Sequence, residues 1–330
     1  MDLKNERQLT VIPATELKCF LEQEGEPFLQ SIVTTGYLPI EERPESRGLY
    51  YEAYRTPDAK GAIVISHGFS ETIEKYKEVI YYMVKNGYAV YLADHRGHGR
   101  SLRDTAHPNR IHLMHFSDYV SDLHLFLTRI VKPRTQELPL YLFAHSMGGA
   151  IGAAYLEAHP QVFQKAVFSS PMLRIHFGHI SETAALLLAL CMKLLGRGDT
   201  YAPGQHDFIP GELFSQSASS CEERFRYYQN KKEATAPFQV SGSSYRWIYE
   251  SARATKSMRS KKSCAKIEIP VLLFQCMHDD YVDARGIDEF IRHTPAASLV
   301  QVADCKHEIY NSADAVLQDY YKKIFLFLEE

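Results

Sequence analysis

The stretch from residue 138 to residue 160 reads LPLYLFAHSMGGAIGAAYLEAHP and constrains the fold more than any other part of the chain. Its apolar run at 140–143 predicts a buried strand, and residues 150–158 predict a helix that follows almost at once. Ser146 lies at the turn between them, flanked by small residues because backbone and helix crowd each other there. The pattern predicts a nucleophile elbow, which exposes the Ser146 hydroxyl at the N-terminal end of the helix.

The elbow pattern carries Ala144 where a glycine is usual, a change that adds one methyl group. A serine in an ordinary strand–helix turn would give a similar pattern. The decisive test is whether an acid and a histidine follow downstream in that order, because serine is a weak nucleophile without an oriented base.

A candidate acid and a candidate base follow in the required order. Asp279 lies a few residues after an apolar strand predicted at 271–275, with Asp280 and Asp283 as competitors for the same role. His307 follows the last predicted strand and precedes the final helix, where a surface histidine is the alternative interpretation. The order Ser146, Asp279, His307 fits a catalytic triad.

Two backbone N–H groups are candidates for an oxyanion hole. One belongs to Met147, directly after the predicted nucleophile, and the other to Phe69 in the sequence His67-Gly68-Phe69 after an early strand. Backbone groups at these two places commonly stabilise the tetrahedral intermediate of acyl transfer.

Short buried strands alternate with helices along most of the chain, while residues 1 to about 40 read as a polar helical lead-in. This rhythm predicts an α/β fold with a mostly parallel central sheet covered by helices on both faces. The predicted strands lie near 47–55 and at 61–66, 89–93, 140–143, 166–169, 271–275 and 298–302.

The alternation of short buried strands and helices stops between residue 171 and about residue 269. We expect residues 172–240 to form an inserted helical cap, with 1–171 and 241–330 forming the core domain. An apolar helix at 184–195 would be either core or the wall of a substrate tunnel. An aromatic cluster here is more typical of packing than of a ligand cage; it comprises Phe225, Tyr227, Tyr228, Tyr245, Trp247 and Tyr249.

Composition excludes several classes of partner and cofactor. The formal charge of −3 gives no electrostatic case for nucleic acid, and the basic stretch 256–266 reads as a solvated loop. His95 and His98 have no acidic or cysteine companions at metal-ligand spacing, so we expect no metal. The turn Gly97-x-Gly99 lacks a full phosphate-binding pattern. We therefore predict no cofactor.

The cysteines and the N-terminus indicate the cellular compartment in which the protein works. Six scattered cysteines without C-x-x-C pairs are typical of a reducing compartment, and Cys191 and Cys276 lie in apolar runs that predict burial. The N-terminus shows no signal-peptide pattern, and the apolar window 184–195 is shorter than the roughly 20 residues that span a bilayer. We expect a cytoplasmic protein, with peripheral contact at the inner membrane face through the cap left open, as is the oligomeric state.

Seven segments of the chain carry a family resemblance: ISHGFSE, DHRGHGRS, FSDYVSDL, LFAHSMGGAI, SSPM, SGSSYRW and KHEI. Together they resemble the bacterial lysophospholipase and monoacylglycerol lipase branch of the α/β-hydrolases, over most of the chain from about residue 45. The resemblance implies hydrolysis of a single acyl ester on a glycerol-type alcohol, without a cofactor. The sequence before Asp279, Cys276-Met277-His278, departs from the small or acidic residues more usual there.

The sequence thus predicts a serine carboxylester hydrolase that acts on a lysophospholipid or a monoacylglycerol through an acyl-enzyme. An esterase or acyltransferase for small soluble esters is the first alternative. A peptidase for N-terminal proline would need an acidic pocket in the cap, for which Glu222, Glu223 and Asp207 are candidates. A non-catalytic module that binds an apolar ligand is the remaining alternative.

Overall fold

The computed structural model describes residues 9–330, and one eight-stranded sheet organises them. The sheet order is β1-β2-β4-β3-β5-β6-β7-β8. β2 pairs antiparallel with β1 and β4, and every other neighbouring pair is parallel. The predicted mostly parallel sheet is therefore confirmed. The strands are β1 Val33–Leu38, β2 Leu49–Tyr54, β3 Gly61–Ser66, β4 Tyr88–Ala93, β5 Leu140–His145, β6 Lys165–Ser169, β7 Val271–Cys276 and β8 Ala297–Val302.

Helices cover both faces of the sheet. Every residue of the central strands β3, β5 and β7 is buried, which explains why these strands are apolar without alternation. Successive side chains point to opposite faces, so Leu142 packs into one core and Phe143 into the other. The α-helices are α1 Leu17–Phe20, α2 Glu26–Ile32, α3 Lys77–Lys85, α4 Ser117–Phe126, α5 Lys132–Thr135, α6 Met147–Ala158, α7 Glu182–Leu194, α8 Glu222–Ala234, α9 Tyr245–Met258, α10 Lys261–Cys264, α11 Ala284–His293 and α12 Asp314–Glu329.

Two sequence predictions about local structure are wrong. Residues 1–8 of the predicted helical lead-in lie outside the described residues, and the described part ends in β1, an edge strand whose polar residues gave no alternating apolar signal but which pairs along its whole length with β2. The basic stretch 256–266 is not a loop, because it contains the end of α9 and all of α10. Ser260 begins α10 by accepting a hydrogen bond from the Ser263 backbone N–H at 3.3 Å.

The long connection between β6 and β7 contains α7 to α10. α7 packs along α9, and the ion pair Lys193–Glu250 at 2.9 Å joins them. Ala189 is the one fully buried residue of α7, so the rest of this apolar helix is not core. The prediction that Cys191 is buried is therefore wrong, whereas Cys276 is buried as predicted. Among residues 9–330 we find no helix with both the length and the apolar character needed to cross a bilayer.

Candidate active site

Ser146 lies at the end of β5, directly before α6, in a strained backbone conformation. Its φ of 50° and ψ of −118° belong to the region that L-residues rarely adopt, and such strain concentrates at functional sites. A side chain on Gly148 would place its Cβ 2.0 Å from the Ser66 carbonyl oxygen, so the first turn of α6 requires glycine. The methyl group of Ala144 is accommodated because it faces Gly152, at 3.5 Å from the position of an added Cβ.

The structure brings Ser146, His307 and Asp279 together from three separate loops at the carboxyl ends of β5, β8 and β7. His307 Nε2 lies 2.8 Å from Ser146 Oγ, and His307 Nδ1 lies 2.7 Å from Asp279 Oδ2. The second oxygen, Asp279 Oδ1, accepts hydrogen bonds from the backbone N–H groups of Tyr281 at 2.9 Å and Val282 at 3.0 Å. This chain of contacts is the geometry by which a carboxylate orients an imidazole and the imidazole activates a hydroxyl.

Burial and charge act in opposite directions on these two ionisable groups. Burial alone would lower the pKa of His307, but the Asp279 carboxylate raises it above its usual value. Burial likewise opposes ionisation of Asp279, yet the nearby His307 and the two backbone N–H groups hold its pKa below the usual value. The pair is thus prepared to carry a positive imidazole beside a negative carboxylate.

The two competing acidic residues lie elsewhere. Asp283 accepts a hydrogen bond from the Arg285 backbone N–H at the start of α11 and pairs with the Arg285 side chain. Asp280 is exposed on the rim of the cavity beside the site. Neither carboxylate contacts His307, whereas Asp279 does.

The loop after β3 approaches Ser146 from the other side. Phe69 lies on this loop, lines the cavity and packs its ring on Trp247 with centroids 4.5 Å apart. Ser70 follows with a positive φ of 56°. The close contact between the start of α6 and the end of β3 brings the backbone of Met147 beside this loop. The two predicted oxyanion donors therefore belong to adjacent segments.

A buried charged network lies behind this loop, and no sequence motif pointed to it. Glu71 accepts hydrogen bonds from the Gly68 N–H and the Tyr76 hydroxyl, both at 2.6 Å. Lys75 lies 3.1 Å from Glu71 and also pairs with Glu308, the residue after His307. Glu71 and Glu308 occur inside the matched motifs ISHGFSE and KHEI, but nothing in their spacing predicts that one lysine joins them.

A second imidazole, that of His145, adjoins the site. Its ring centroid lies 4.9 Å from that of His307, and Nδ1 lies 3.0 Å from the Ser169 carbonyl oxygen. Burial lowers the pKa of His145 to about 4, with Glu71 opposing and His307 reinforcing the shift. His145 is therefore neutral at the pH where His307 titrates.

A cavity of about 470 Å³ opens beside Ser146 and His307. This volume lies within the roughly 300–1,000 Å³ typical of small-molecule sites. Much of its wall comes from the long connection between β6 and β7. Its apolar lining includes Phe69, Met172, Ile175, Phe177, Ile180, Leu188, Ala189, Trp247, Ile248 and Val282.

Four residues of the aromatic cluster, Phe225, Tyr228, Tyr245 and Trp247, also line this cavity, whereas His95, His98 and the peptidase candidates lie outside it. His95 contacts Ser66 Oγ at 3.0 Å and His98 contacts the Arg96 carbonyl at 3.0 Å, both buried beneath the loop after β3. The peptidase candidates Glu222, Glu223 and Asp207 do not line the cavity. Within residues 9–330, no three His, Cys, Asp or Glu side chains are grouped as metal ligands.

Comparison with known proteins places this geometry in a family. A probable lysophospholipase L2 from Haemophilus influenzae is 29% identical over 81% of this chain and 83% of its own length. A monoacylglycerol lipase from Mycolicibacterium smegmatis is 35% identical over 50% of this chain and 53% of its own. A monoglyceride lipase from Saccharomyces cerevisiae, solved with a substrate analogue, shares the fold with a TM-score of 0.70 at 17% identity, covering 90% of this chain and 94% of that one.

The family described as serine aminopeptidase, S33, matches residues 57–314, which span both the strained serine and the histidine that contacts it. The matched residues include most of the sheet, the long connection and the positions of Ser146, Asp279 and His307, and the match agrees with the resemblance seen in the sequence. The chain belongs to the serine aminopeptidase S33 family of α/β-hydrolases.

Proposed function

We propose that this protein is a serine carboxylester hydrolase that cleaves a single-acyl lipid ester, a lysophospholipid or a monoacylglycerol, through an acyl-enzyme. One observation carries the proposal: His307 Nε2 lies 2.8 Å from Ser146 Oγ, while Asp279 holds the opposite ring nitrogen at 2.7 Å. This arrangement makes a hydroxyl nucleophilic at neutral pH.

In the acylation step, Ser146 Oγ attacks the ester carbonyl carbon and its proton passes to His307 Nε2. Asp279 stabilises the imidazolium that forms. The backbone N–H groups of Phe69 and Met147 donate to the oxyanion of the tetrahedral intermediate. When this intermediate collapses, the C–O bond breaks and the leaving alcohol takes the proton from His307.

In the deacylation step, His307 accepts a proton from water as the water oxygen attacks the acyl-enzyme carbonyl. The second tetrahedral intermediate collapses and returns the proton to Ser146 Oγ. The products are a fatty acid and the free enzyme, and no cofactor takes part.

The shape and lining of the cavity support an acyl chain as the group bound beside Ser146. Its apolar wall removes alkyl surface from water, at about 0.8 kcal/mol for each buried CH₂ group. The curated relatives named lysophospholipase and monoacylglycerol lipase support the same substrate class. A small soluble ester would leave most of this wall in contact with water.

The charged groups in the cavity argue against a peptidase for N-terminal residues, despite the name of the family. A pocket for a substrate ammonium group needs an unpaired carboxylate. The two buried carboxylates that line the cavity, Glu71 and Glu308, are already paired with Lys75, and the other two, Glu212 and Asp280, are exposed to solvent.

We propose further that residues 172–240 form a cap that admits the fatty chain, and that the enzyme works in the cytoplasm in contact with a membrane surface. Leu194 and Leu195 at the end of α7 are 77% and 72% exposed. Ile180 and Leu188 are exposed as well and line the cavity. This apolar surface is therefore continuous with the site, which suits a substrate that must leave a bilayer.

The proposal is tested with a fluorophosphonate probe and a hydrolysis panel of lysophospholipids, monoacylglycerols and nitrophenyl esters of graded chain length. We expect Ser146→Ala to lose labelling and about 10⁴-fold or more in kcat, because the nucleophile is removed. The control is Ser217→Ala, since Ser217 Oγ is another hydroxyl in the same cavity. Undiminished labelling of Ser146→Ala would refute the assignment, and an optimum at acetyl esters would refute the lipid substrate.

A further inference from the structure

One face of α8 forms the polar end of the cavity. Phe225, Tyr228, Gln229 and Lys232 all line it, and their spacing of three, one and three residues places them on the same side of the helix. Lys232 is only 9% exposed. Its side chain therefore points into the cavity from the same helix face as two aromatic rings.

The ammonium group of Lys232 has no charged partner in the part of the chain that the structure describes. No carboxylate oxygen of residues 9–330 lies within 4.0 Å of its Nζ, which lies 5.4 Å from the centroid of the Phe208 ring. The adjacent Lys231 differs, because its Nζ pairs with both Glu26 and Glu74.

The polar groups around Lys232 are already engaged with other residues. Gln229 Nε2 donates to Glu233 at 3.0 Å, and the Tyr228 hydroxyl contacts Thr72 Oγ1 at 3.3 Å. Lys75 is joined to its own two carboxylates. Lys232 is consequently a buried cation of the cavity wall whose ammonium group has no direct contact with a carboxylate of residues 9–330.

A buried unpaired ammonium group is costly, because removing it from water is not offset by a counter-charge. Burial, then the like charge of Lys75, lowers the pKa of Lys232 to about 8, while Glu212, Glu308 and Glu71 oppose the shift. Most of the population is still protonated at pH 7. An anionic ligand in the cavity would supply the missing partner.

We propose that Lys232 binds the phosphodiester group of a lysophospholipid and so selects this substrate over a neutral monoacylglycerol. The inference rests on the proposed function, because it places the scissile ester at Ser146. The phosphodiester and the acyl ester belong to one glycerol unit, and Lys232 and Ser146 line one cavity. A monoacylglycerol has no group that can neutralise the Lys232 ammonium.

The first test compares kcat/KM for a lysophospholipid and a monoacylglycerol with the same acyl chain. We expect Lys232→Met to lower kcat/KM for the lysophospholipid about 10- to 100-fold, the range for a charge-assisted hydrogen bond. The value for the monoacylglycerol should stay within about twofold. Lys232→Arg should retain most of the preference, and Lys231→Met, the matched control outside the cavity, should leave the ratio unchanged.

The pH dependence of the same ratio is a second readout. The preference for the lysophospholipid should fall between pH 7 and pH 9 as Lys232 loses its proton, and Lys232→Met should abolish this dependence. Titration of His307 affects both substrates and cancels in the ratio. The charged groups that face Lys232 are Glu71, Lys75, Glu212 and Glu308. Their surroundings lower the pKa of Glu71 and raise that of Lys75, so these two stay ionised throughout this interval.

A binding test keeps the inference independent of turnover. In Ser146→Ala, a short-chain alkyl ether of glycerophosphocholine should bind at least tenfold more tightly than the matching alkyl glycerol, and adding Lys232→Met should remove that difference. Inorganic phosphate should compete only weakly if the lipid head group is the ligand. Strong competition by phosphate would identify a free-anion site and overturn the inference.

Other outcomes separate this inference from the proposed function. Equal losses of kcat/KM on both substrates in Lys232→Met would show that Lys232 has a structural role. No loss on either substrate would show that it has no role. Either result overturns the inference. If the enzyme cleaves only the monoacylglycerol, the inference fails while the proposed function stands. If no ester is cleaved, the proposed function fails, and the binding difference alone decides the role of Lys232.

Discussion

Asp279→Asn is the substitution that tests the triad most sharply, because it removes a charge while keeping the shape of the side chain. The new amide oxygen can still accept from the backbone N–H groups of Tyr281 and Val282, which now donate to Asp279 Oδ1 at 2.9 and 3.0 Å. The amide nitrogen would then face His307 Nδ1, where the carboxylate oxygen lies at 2.7 Å. Two donors cannot pair, so the imidazole must change tautomer.

The expected magnitude follows from this change of tautomer. With its proton on Nε2, His307 cannot accept the Ser146 proton across the 2.8 Å contact. The equivalent asparagine substitution in serine proteases lowers kcat about 10⁴-fold. This loss corresponds to about 5.4 kcal/mol of activation free energy.

The dependence of activity on pH gives an independent test of the role of Asp279. The Asp279 carboxylate raises the pKa of His307, and the enzyme needs His307 neutral, so activity should rise with pH through a midpoint above 6.5. In Asp279→Asn the imidazolium loses its counter-charge, and the midpoint of the remaining activity should move to lower pH.

The assay is kcat/KM against pH for one ester, with Asp280→Asn as the matched control. Asp280 is the neighbouring residue, lies on the rim of the same cavity and does not contact His307. We expect its variant to keep the wild-type profile within about twofold in rate. Full activity in Asp279→Asn together with a large loss in Asp280→Asn would refute the assignment of the acid.

Two other predictions concern stability and membrane contact. Arg224→Met should cost about 3–5 kcal/mol in the free energy of unfolding by urea, because Arg224 is fully buried and the change leaves Glu78 without its charged partner. Arg226→Met breaks only an exposed pair, so a comparable loss there would contradict this reasoning. Replacing both Leu194 and Leu195 by glutamate should weaken sedimentation with phospholipid vesicles about a hundredfold while leaving hydrolysis of a soluble ester intact. Unchanged sedimentation would remove the proposed contact.

The sheet was predictable from sequence because its central strands are buried on both faces. A strand that is buried on both faces appears in the sequence as an apolar run, which few other elements resemble. The carboxyl ends of the parallel strands in such a sheet lie at one edge. The contact among Ser146, Asp279 and His307 could therefore be expected from chain order alone. The strand β1 could not be predicted from the sequence, because an edge strand has solvent on one side and its polar residues gave no periodic signal.

The local sequence pattern could not predict the role of a residue that depends on a partner far away in the chain. Lys75 looks like an ordinary helix lysine until folding places it between Glu71 and Glu308, more than 200 positions later in the chain. Lys232 and Lys231 are adjacent in sequence and opposite in environment, and only the orientation of α8 separates them. The exposure of Cys191 has the same cause, since an apolar helix is not buried unless another element covers it.

The buried charges behind the loop after β3 explain why two neighbouring imidazoles can behave differently. The Glu71 carboxylate favours a proton on His145, whose Nε2 lies 3.8 Å from it. A charged His145 would then repel the imidazolium that forms on His307, 4.9 Å away between ring centroids. Burial outweighs the Glu71 carboxylate at His145 and keeps this imidazole uncharged, and Lys75 acts in the same direction as burial. Only His307, held by Asp279, is left to accept the proton from the serine hydroxyl.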